Sequence, residues 1–367
     1  MTNYEALGLR PVINAFATVT KYGGSLMPPA VIAAMNEAAG AFVDLQQLQR
    51  AVGERIAELT RNEAAYVTSG AAAGIVLASA AAVLNKYPDA LKRFPNLGAF
   101  NNEAIIFRSQ RNPYDYSIKQ TGLTYIEIEG ASAAMRAAIT ARTACVFWFP
   151  RGDCSADEIT LAEVIAIASE RDIPVIVDAA AQLPPVENLW RFSEMGAALA
   201  LFSGGKDLRG PQSSGLMLGR RDFIESIRPI SNPNHGLGRP FKVGKEEMMG
   251  ALAAVERYLK LDHAARERYC EESVRLFCAA MNPLAGVRAE RAFPNEAGQP
   301  LPRCRVTIDP GLLGKSADVL VADFLNHEPA IAVAPDSDTS FYLNPMTLEP
   351  GEEIIVRDAC LKLLSAP

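Results

Sequence analysis

The chain has 367 residues and a formal net charge of −6 at pH 7. Because proteins that bind nucleic acid usually expose clusters of lysine and arginine, this acidic balance argues against a tRNA or DNA partner. Hydrophobic residues make up 49% of the chain and charged residues 21%, which is typical of a globular protein with a sizeable core. The longest apolar run, from Ala71 to Leu84, is too short to cross a bilayer. We therefore expect no membrane partner.

The spacing of cysteine and histidine gives no indication of a metal site. The six cysteines form no C-x-x-C pair, and the three histidines show no H-E-x-x-H arrangement. Because no basic segment followed by an apolar run stands at the N-terminus, we expect a cytoplasmic protein with reduced thiols and no bound metal. His235, in a loop rich in proline, asparagine and glycine, is the histidine that we consider as an acid–base group.

An irregular segment, Asn14–Pro29, precedes two predicted helices, Ala30–Ala41 and Leu45–Thr60. From Glu63 to Gly219, short apolar runs alternate with helical periodicity. This pattern predicts an α/β protein with a mainly parallel sheet covered by helices. The predicted strands are Ala64–Val67, Ala104–Arg108, Thr124–Ile128, Ala144–Phe149, Pro174–Asp178, Ala198–Phe202 and Gly215–Leu218, and the predicted helices are Ala72–Leu84, Ala131–Thr140 and Asp157–Arg171, the last with a capping box of Ser155 and Glu158.

The C-terminal part of the chain has a different pattern. A long helical stretch is predicted from Glu246 to Asn282, and the proline- and glycine-containing segment Pro283–Pro302 is predicted to be a loop. Strands at Arg303–Ile308 and Ser340–Leu343 and a closing helix from Gly351 then indicate a smaller α+β domain. We predict a large domain (63–250) and a small C-terminal domain (251–367). Residues 1–62 are predicted to form an N-terminal arm and helices that pack on both domains.

Lys206 lies in the glycine-rich segment Ser203–Gly215, between two predicted strands. Such a segment is a loop at a sheet edge. The two glycines before Lys206 remove side-chain bulk, so the lysine could approach a small planar ligand closely. A glycine-rich turn with a solvated lysine explains the same residues equally well.

The segment Val67–Gly74 leads from a predicted strand into a helix through small residues. The backbone N–H groups at the N-terminus of that helix, together with the Ser69 hydroxyl, suit a dianionic phosphate. Nucleotide-binding motifs do not fit, because neither G-x-x-x-x-G-K-[ST] nor G-x-G-x-x-G after a strand occurs. Close packing of the helix on the sheet is the alternative explanation.

Asp178 ends an apolar predicted strand. A carboxylate there is poorly solvated and needs a cationic partner. The protonated pyridine nitrogen of pyridoxal 5′-phosphate (PLP) is such a partner, and a charge-assisted hydrogen bond of about 1.5–3 kcal/mol would keep it protonated. The alternative is an aspartate that caps the following helix. The order of the three features along the chain favours PLP, because a phosphate site, a strand-end aspartate and a loop lysine follow one another in PLP enzymes of this kind.

Together with the opening segment Arg10–Ala15, these motifs resemble the selenocysteine-synthase-like family of PLP enzymes, and in particular its D-glucosaminate-6-phosphate ammonia-lyase-like branch. The resemblance covers nearly the whole chain and is most specific at Val67–Ala73, Ser203–Gly215 and Gly238–Glu247. It implies the aspartate-aminotransferase fold, also called PLP fold type I.

The resemblance also implies the roles of individual residues. It implies a Schiff base between PLP and Lys206, a pyridinium partner at Asp178, and homodimers or larger assemblies with active sites at subunit interfaces. Phosphate contacts are implied for Ser69, Gly70, Ala71 and Ser203.

The sequence departs from the family pattern at three places. Its core motif begins at residue 10, so we expect no tRNA-binding N-terminal region. Gln110 stands where members of the lyase branch often carry histidine, and it is a candidate to stack on the cofactor ring. The segment Pro329–Ala334 lacks an arginine that is common nearby in relatives, which indicates altered carboxylate recognition.

Four basic residues could bind a substrate carboxylate or phosphate, since an arginine fork suits bidentate binding. For each of them a solvated surface charge is an equally good explanation. These candidates are Arg111, Arg209, Arg239 and Lys242.

The loop lysine and the resemblance to the ammonia-lyase-like branch imply a PLP-dependent lyase that acts on a small molecule, a hydroxylated amino acid or an amino sugar acid. Lys206 would remove the Cα proton, and loss of the β-hydroxyl would then give a 2-oxo acid and ammonia. An amino acid racemase or epimerase needs the same deprotonation and remains an alternative, as does a non-catalytic PLP-binding protein. A transaminase is disfavoured, and a tRNA-dependent selenium transferase more so.

Overall fold

The structure is a computed structural model that describes residues 3–98, 100–152 and 158–365. These residues divide into two compact units. Residues 27–261 form the larger unit, and residues up to Leu26 pack with those from Asp262 onward in the smaller one. Within these ranges we find no helix with the length and apolar character that a membrane span requires.

The secondary-structure elements are numbered in chain order. The strands are β1 (Val12–Ala15), β2 (Ala64–Thr68), β3 (Glu103–Phe107), β4 (Thr124–Ile128), β5 (Thr143–Trp148), β6 (Val175–Asp178), β7 (Leu199–Ser203), β8 (Gly215–Gly219), β9 (Val287–Ala292), β10 (Arg303–Ile308), β11 (Ala330–Ser337) and β12 (Ser340–Leu343). The helices are α1 (Asn3–Ala6), α2 (Pro29–Ala39), α3 (Leu45–Leu59), α4 (Ala71–Leu84), α5 (Tyr116–Lys119), α6 (Ser132–Ala138), α7 (Leu161–Ser169), α8 (Asn188–Glu194), α9 (Arg221–Ile227), α10 (Lys245–Tyr258), α11 (His263–Met281), α12 (Pro310–Leu313), α13 (Ala317–Asn326) and α14 (Glu352–Leu364).

The described part of the larger unit contains a seven-stranded sheet in the order β2-β8-β7-β6-β5-β3-β4. β8 runs antiparallel to both of its neighbours, and the remaining neighbouring strands are parallel. Apolar clusters cover both faces, one containing Val67 and Phe202 and the other containing Tyr66 and Leu201. A parallel sheet buried on both faces needs apolar strands, and the predicted strands have this composition. The predicted α/β class, with a mainly parallel sheet covered by helices, is therefore confirmed.

Helices fix the sheet at its centre and at one edge. α4 is buried from Ala73 to Leu84, so it is apolar on all sides. At the sheet edge, the Gln49 side chain of α3 donates to the Val67 carbonyl at 2.8 Å and accepts from the Val67 N–H at 3.0 Å. These two bonds take the place of a further strand and cover an edge that would otherwise be open to pairing.

The smaller unit contains, within its described residues, a five-stranded sheet in the order β1-β11-β12-β10-β9. β1 pairs parallel with β11, whereas the other pairs are antiparallel. Side chains from this sheet and from α11, α13 and α14 form one apolar cluster, which includes Phe277, Phe324 and Phe341. This arrangement agrees with the predicted smaller α+β domain.

Two predicted helices differ from the structure by more than a residue or two at their ends. α7 begins at Leu161 rather than at Asp157, because Thr160 and Glu163 form the capping box. Ser155 lies outside the described residues. The helix predicted from Glu246 to Asn282 is two helices, since the Asp262 side chain accepts from the Ala265 N–H and starts α11.

The segment Pro283–Pro302 was predicted to be a loop and instead contains β9. Alternating charged residues hide this strand in the sequence, because only one of its faces is buried. The predicted domain bounds remain a prediction. The compact units group α2 and α3 with the large sheet and residues 3–26 with the C-terminal part of the chain.

Candidate active site

Two distant segments meet at one edge of the large sheet. The last residues of β2 and β7, Thr68 and Ser203, both lie opposite Gly215, the first residue of β8. Ser69 and the residues that follow Ser203 therefore leave the sheet at the same edge. This edge carries the carboxyl ends of the parallel strands, where ligands of open α/β sheets bind.

Gly215 lets the start of α4 approach the sheet closely. A Cβ atom on Gly215 would lie 2.7 Å from the Gly70 carbonyl carbon and 2.9 Å from the Ala71 nitrogen. Gly70 has φ 129° and provides no side-chain cap for α4. The N-terminal end of α4 therefore presents backbone N–H groups and the positive end of the helix dipole beside Ser69, a favourable arrangement for an anion.

Asp178 lies at the end of β6, where it is paired with Leu201 of β7. Its Oδ1 accepts a hydrogen bond from the Ala180 N–H at 3.1 Å. Burial raises the pKa of the Asp178 carboxyl group, and the Ala180 hydrogen bond and the charge of Lys206 act in the opposite direction. An interior carboxylate under such a penalty would be stabilised by a cation or by a charged N–H donor.

The two glycines before Lys206 are required by the fold of its own loop. A Cβ on Gly204 would lie 2.0 Å from the Ser214 Oγ, and a Cβ on Gly205 would lie 2.6 Å from the Gln212 Cα. The Gly204 N–H also donates to the Ser214 carbonyl at 2.8 Å. The glycines therefore let the loop fold back on itself, a reason that differs from the predicted approach to a ligand.

Asp207 and Tyr258 were not predicted from the sequence. Asp207 is buried next to Lys206 and accepts a hydrogen bond of 2.6 Å from the hydroxyl of Tyr258, which is fully buried in α10. This contact fixes the backbone beside Lys206 to a helix that lies far along the chain. No local sequence pattern indicates it, because the two residues are brought together only by tertiary packing.

Gln110 follows β3 and lies at the same sheet edge. The residue is 3% exposed, and its Oε1 accepts a hydrogen bond from the N–H of Phe149, the residue after β5, at 2.9 Å. Its amide thus ties together the ends of two parallel strands. Its stacking on a cofactor ring remains a prediction.

Arg111 is engaged in ion pairs. Its Nε donates to Asp115 Oδ2 at 2.5 Å, its Nη1 donates to Glu127 Oε1 at 2.5 Å, and its guanidinium group lies over the ring of Tyr125. Hydrogen bonding to Asp115 raises the pKa of Arg111. Because Asp115 is buried, these contacts indicate a structural role for Arg111, and its contact with substrate remains a prediction.

The other basic candidates have different surroundings. Arg209 has φ 55° and is half-buried in the Lys206 loop, which makes it the best placed of them. Arg239 donates to Asn232 Oδ1 at 3.3 Å, and Lys242 is exposed. His235 is exposed in a turn, and nothing in its surroundings supports an acid–base role.

Comparison with known proteins gives three relatives that the chain resembles over most of its length. It is 32% identical to a 5′-C-glycyluridine monooxygenase-decarboxylase of a Streptomyces species, over 96% of this chain and 90% of the relative. It is 29% identical to the D-glucosaminate-6-phosphate ammonia lyase of Salmonella typhimurium, over 96% of this chain and 95% of the relative. It is 25% identical to the L-seryl-tRNA(Sec) selenium transferase of Nitratidesulfovibrio vulgaris, over 94% of this chain and 79% of the relative. The chain belongs to the selenocysteine-synthase-like family of PLP enzymes.

The solved structure of a D-glucosaminate-6-phosphate ammonia-lyase agrees with this family. It superposes with a TM-score of 0.85 at 27% sequence identity, covering 99% of this chain and 98% of the other. No family model matches the chain. The resemblance that the motifs predicted is therefore confirmed, and the chain shares its fold with enzymes whose names describe different reactions.

Proposed function

We propose that this member of the selenocysteine-synthase-like family is a PLP-dependent lyase. It would release ammonia from a hydroxylated amino acid or an amino sugar acid. The observation that carries the proposal is the meeting of three features at one sheet edge: the uncapped start of α4, the interior carboxylate of Asp178 and the loop of Lys206.

These residues fit PLP in charge and in hydrogen-bonding chemistry. The phosphate would be held by the N–H groups of Gly70 and Ala71 and by the hydroxyls of Ser69 and Ser203. The Asp178 carboxylate would accept a hydrogen bond from the protonated ring nitrogen, and this interaction would offset the cost of burying the carboxylate. When bound, PLP supplies an electron-poor ring that accepts the electron pair released at the substrate Cα.

Lys206 would both anchor the cofactor and move the proton. Its ε-amine, once free, would take the proton from the substrate Cα, as lysines in desolvated sites do. The fold restrains its position, because Gly204 and Gly205 close the loop behind it and Asp207 fixes the following residue to Tyr258. Such restraint keeps an acid–base group within reach of the reacting atom.

The proposed reaction removes the Cα proton and the β-hydroxyl as water. The resulting enamine takes up water again, so the net products are a 2-oxo acid and ammonia. Support comes from the 29% identical relative, which is named for ammonia release from D-glucosaminate 6-phosphate. Within the Lys206 loop, Arg209 is the candidate to bind the acid group of the substrate.

The experiment is to incubate purified holoprotein with D-glucosaminate 6-phosphate and with a set of 3-hydroxy amino acids. We expect ammonia and a 2-oxo acid in equal amounts from at least one of them. Lys206→Ala should abolish turnover, whereas Lys92→Ala, which changes an exposed lysine of the same unit, should not. If no compound gives either product, or if Lys206→Ala retains turnover, the proposal is wrong.

A second candidate activity is an oxygen-dependent decarboxylation at the same site. The 32% identical relative is named as a monooxygenase-decarboxylase, and the proposed cofactor could serve either reaction. An oxygen electrode separates the two candidates, because the lyase reaction consumes no O₂ and releases no CO₂. Exchange of the Cα proton with deuterated solvent, without ammonia release, would instead favour a racemase or epimerase.

We also propose a cytoplasmic homodimer or larger homo-oligomer with active sites at subunit interfaces, as the family resemblance implies. Light scattering on the holoprotein tests the assembly, and a monomer that turns over substrate would contradict it. Cell fractionation tests the location.

A further inference from the structure

The smaller unit contains a cavity of about 360 Å³ that is lined by none of the residues to which the proposed function assigns a role. Arg303, at the start of β10, and Tyr342, on the neighbouring strand β12, line it together with Glu296. Phe16 and Val19 supply an apolar wall. A volume of this order suits a small organic molecule.

One N–H group of the Arg303 guanidinium, at Nε, lacks a hydrogen-bond acceptor among the described residues. The Arg303 side chain is only 12% exposed, and its Nη1 forms an ion pair of 3.1 Å with Glu296 Oε2. Its Nε is buried and has no hydrogen-bond partner among the described residues. A buried donor of a charged group is costly to leave unpaired, so this edge of the guanidinium group is suited to receive an acceptor from a ligand.

The surroundings hold Arg303 and Glu296 in place. The Arg303 Cζ lies 4.0 Å from the centroid of the Tyr342 ring, so the guanidinium plane is supported by an aromatic side chain. The loop that carries Glu296 is fixed by Asn295, whose Oδ1 accepts from the N–H groups of Ala297 at 3.1 Å and Gln299 at 3.0 Å. The cavity is therefore largely formed before a ligand arrives, which lowers the entropic cost of binding.

We propose that this cavity binds the carboxylate of a small organic acid through Arg303. The planar fork of arginine matches the two oxygens of a carboxylate. Phosphate also forms bidentate pairs with arginine, but Glu296 and Asp336 line the cavity, and they repel a dianion more than a monoanion. The apolar wall of Phe16 and Val19 suits the carbon skeleton of an organic acid.

The carboxylate at Arg303 could belong either to the substrate of the enzyme or to a separate small acid. The two sources share this chemistry at Arg303. Binding is measured without turnover, so a failure here leaves the proposed lyase activity untouched, and the reverse also holds.

The experiment is calorimetric titration of the holoprotein with propionate, pyruvate and gluconate, with D-glucitol as the neutral counterpart of gluconate. We expect at least one acid to bind and D-glucitol not to bind. Arg303→Lys should weaken binding about tenfold or more, because lysine keeps the charge and loses the fork. Arg288→Lys is the matched control, since Arg288 is exposed on β9 and paired with Glu290, and it should leave binding unchanged.

Glu296→Gln provides a second test that does not remove the buried arginine. It deletes the carboxylate that competes for Arg303, so we expect binding to tighten several-fold. If none of the acids binds with a Kd below about 10 mM, or if Arg303→Lys and Glu296→Gln both bind as the wild type does, the proposal is overturned.

Competition then identifies the source of the carboxylate. If a turnover substrate displaces the bound acid, and Arg303→Lys raises KM more than it lowers kcat, the substrate supplies the carboxylate. If substrate and acid bind together, a separate acid does. Both results support a carboxylate site at Arg303.

Discussion

Asp178→Asn tests two expected consequences of the half-buried Asp178 carboxylate: tighter binding of PLP and lower stability of the cofactor-free protein. Asparagine keeps the shape of the side chain and the acceptor for the Ala180 N–H, but it removes the charge. If Asp178 meets the protonated ring nitrogen of PLP, the variant loses a charge-assisted hydrogen bond of about 1.5–3 kcal/mol. This loss corresponds to PLP binding that is weaker by about 10- to 150-fold.

The same change should make the cofactor-free protein more stable at neutral pH. Burial raises the pKa of Asp178 in the folded chain above its unfolded value of about 3.9. The folded state therefore holds more protons than the unfolded state between these two pKa values, and wild-type stability falls as pH rises through this window. The attraction of Lys206 reduces the fall without reversing it, because the net direction of the shift is upward. Asp178→Asn lacks this pH-dependent loss.

Urea unfolding of the cofactor-free proteins at pH 4 and pH 8 measures the stability effect, and absorbance titration with PLP measures affinity. Asp172→Asn is the control, because Asp172 is exposed with φ 54° and asparagine also adopts the left-handed conformation. We expect the difference between Asp178→Asn and wild type to be larger at pH 8. Equal PLP affinity, or a cofactor-free variant that is less stable than wild type at pH 8, would refute the reasoning.

Three further changes test other parts of the site. Lys206→Ala should remove the visible absorbance band that wild type shows with PLP, and a band of unchanged position would count against Lys206 as the anchor. Gly215→Ala should weaken the binding of PLP more than the binding of pyridoxal, because the added Cβ would clash with the start of α4. Gly74→Ala is the control and should not have this effect, because its Cβ would meet Leu201 at an ordinary 3.6 Å. Competition titrations measure both affinities. Arg111→Met should lower the free energy of unfolding by about 1–3 kcal/mol and leave KM unchanged. A raised KM at wild-type stability would instead support the predicted contact of Arg111 with substrate.

The sequence was sufficient to predict the large sheet because each strand carries its own signal. Apart from one terminal threonine or serine each, β2, β5 and β7 are apolar and buried, so composition alone indicates that they are strands. β9 is the contrasting case. Its buried positions alternate with arginine and glutamate, and its place in the sheet depends on pairing with β10, which no local pattern records.

The candidate site was predictable only where its chemistry is local. A strand-end aspartate and a lysine after two glycines can be recognised from neighbouring residues. The contact of Asp207 with Tyr258 and the ion pair of Arg111 with Glu127 connect residues through the tertiary structure. For this reason Arg111 and Arg209 could not be distinguished from the sequence alone, although their surroundings differ.

The residues that would hold PLP do not by themselves determine the reaction. Relatives named for ammonia release and for oxygen-dependent decarboxylation align with nearly the whole chain, so the shared fold is compatible with either. PLP enzymes select a bond by the groups that surround the Cα atom. Gln110 is a side chain at this edge that we predict to depart from the family pattern, and its Oε1 accepts a hydrogen bond from the Phe149 N–H. The choice between the two reactions should therefore be sought by replacing Gln110 with histidine and measuring O₂ consumption and ammonia release together. A shift in their ratio would assign reaction selection to this position.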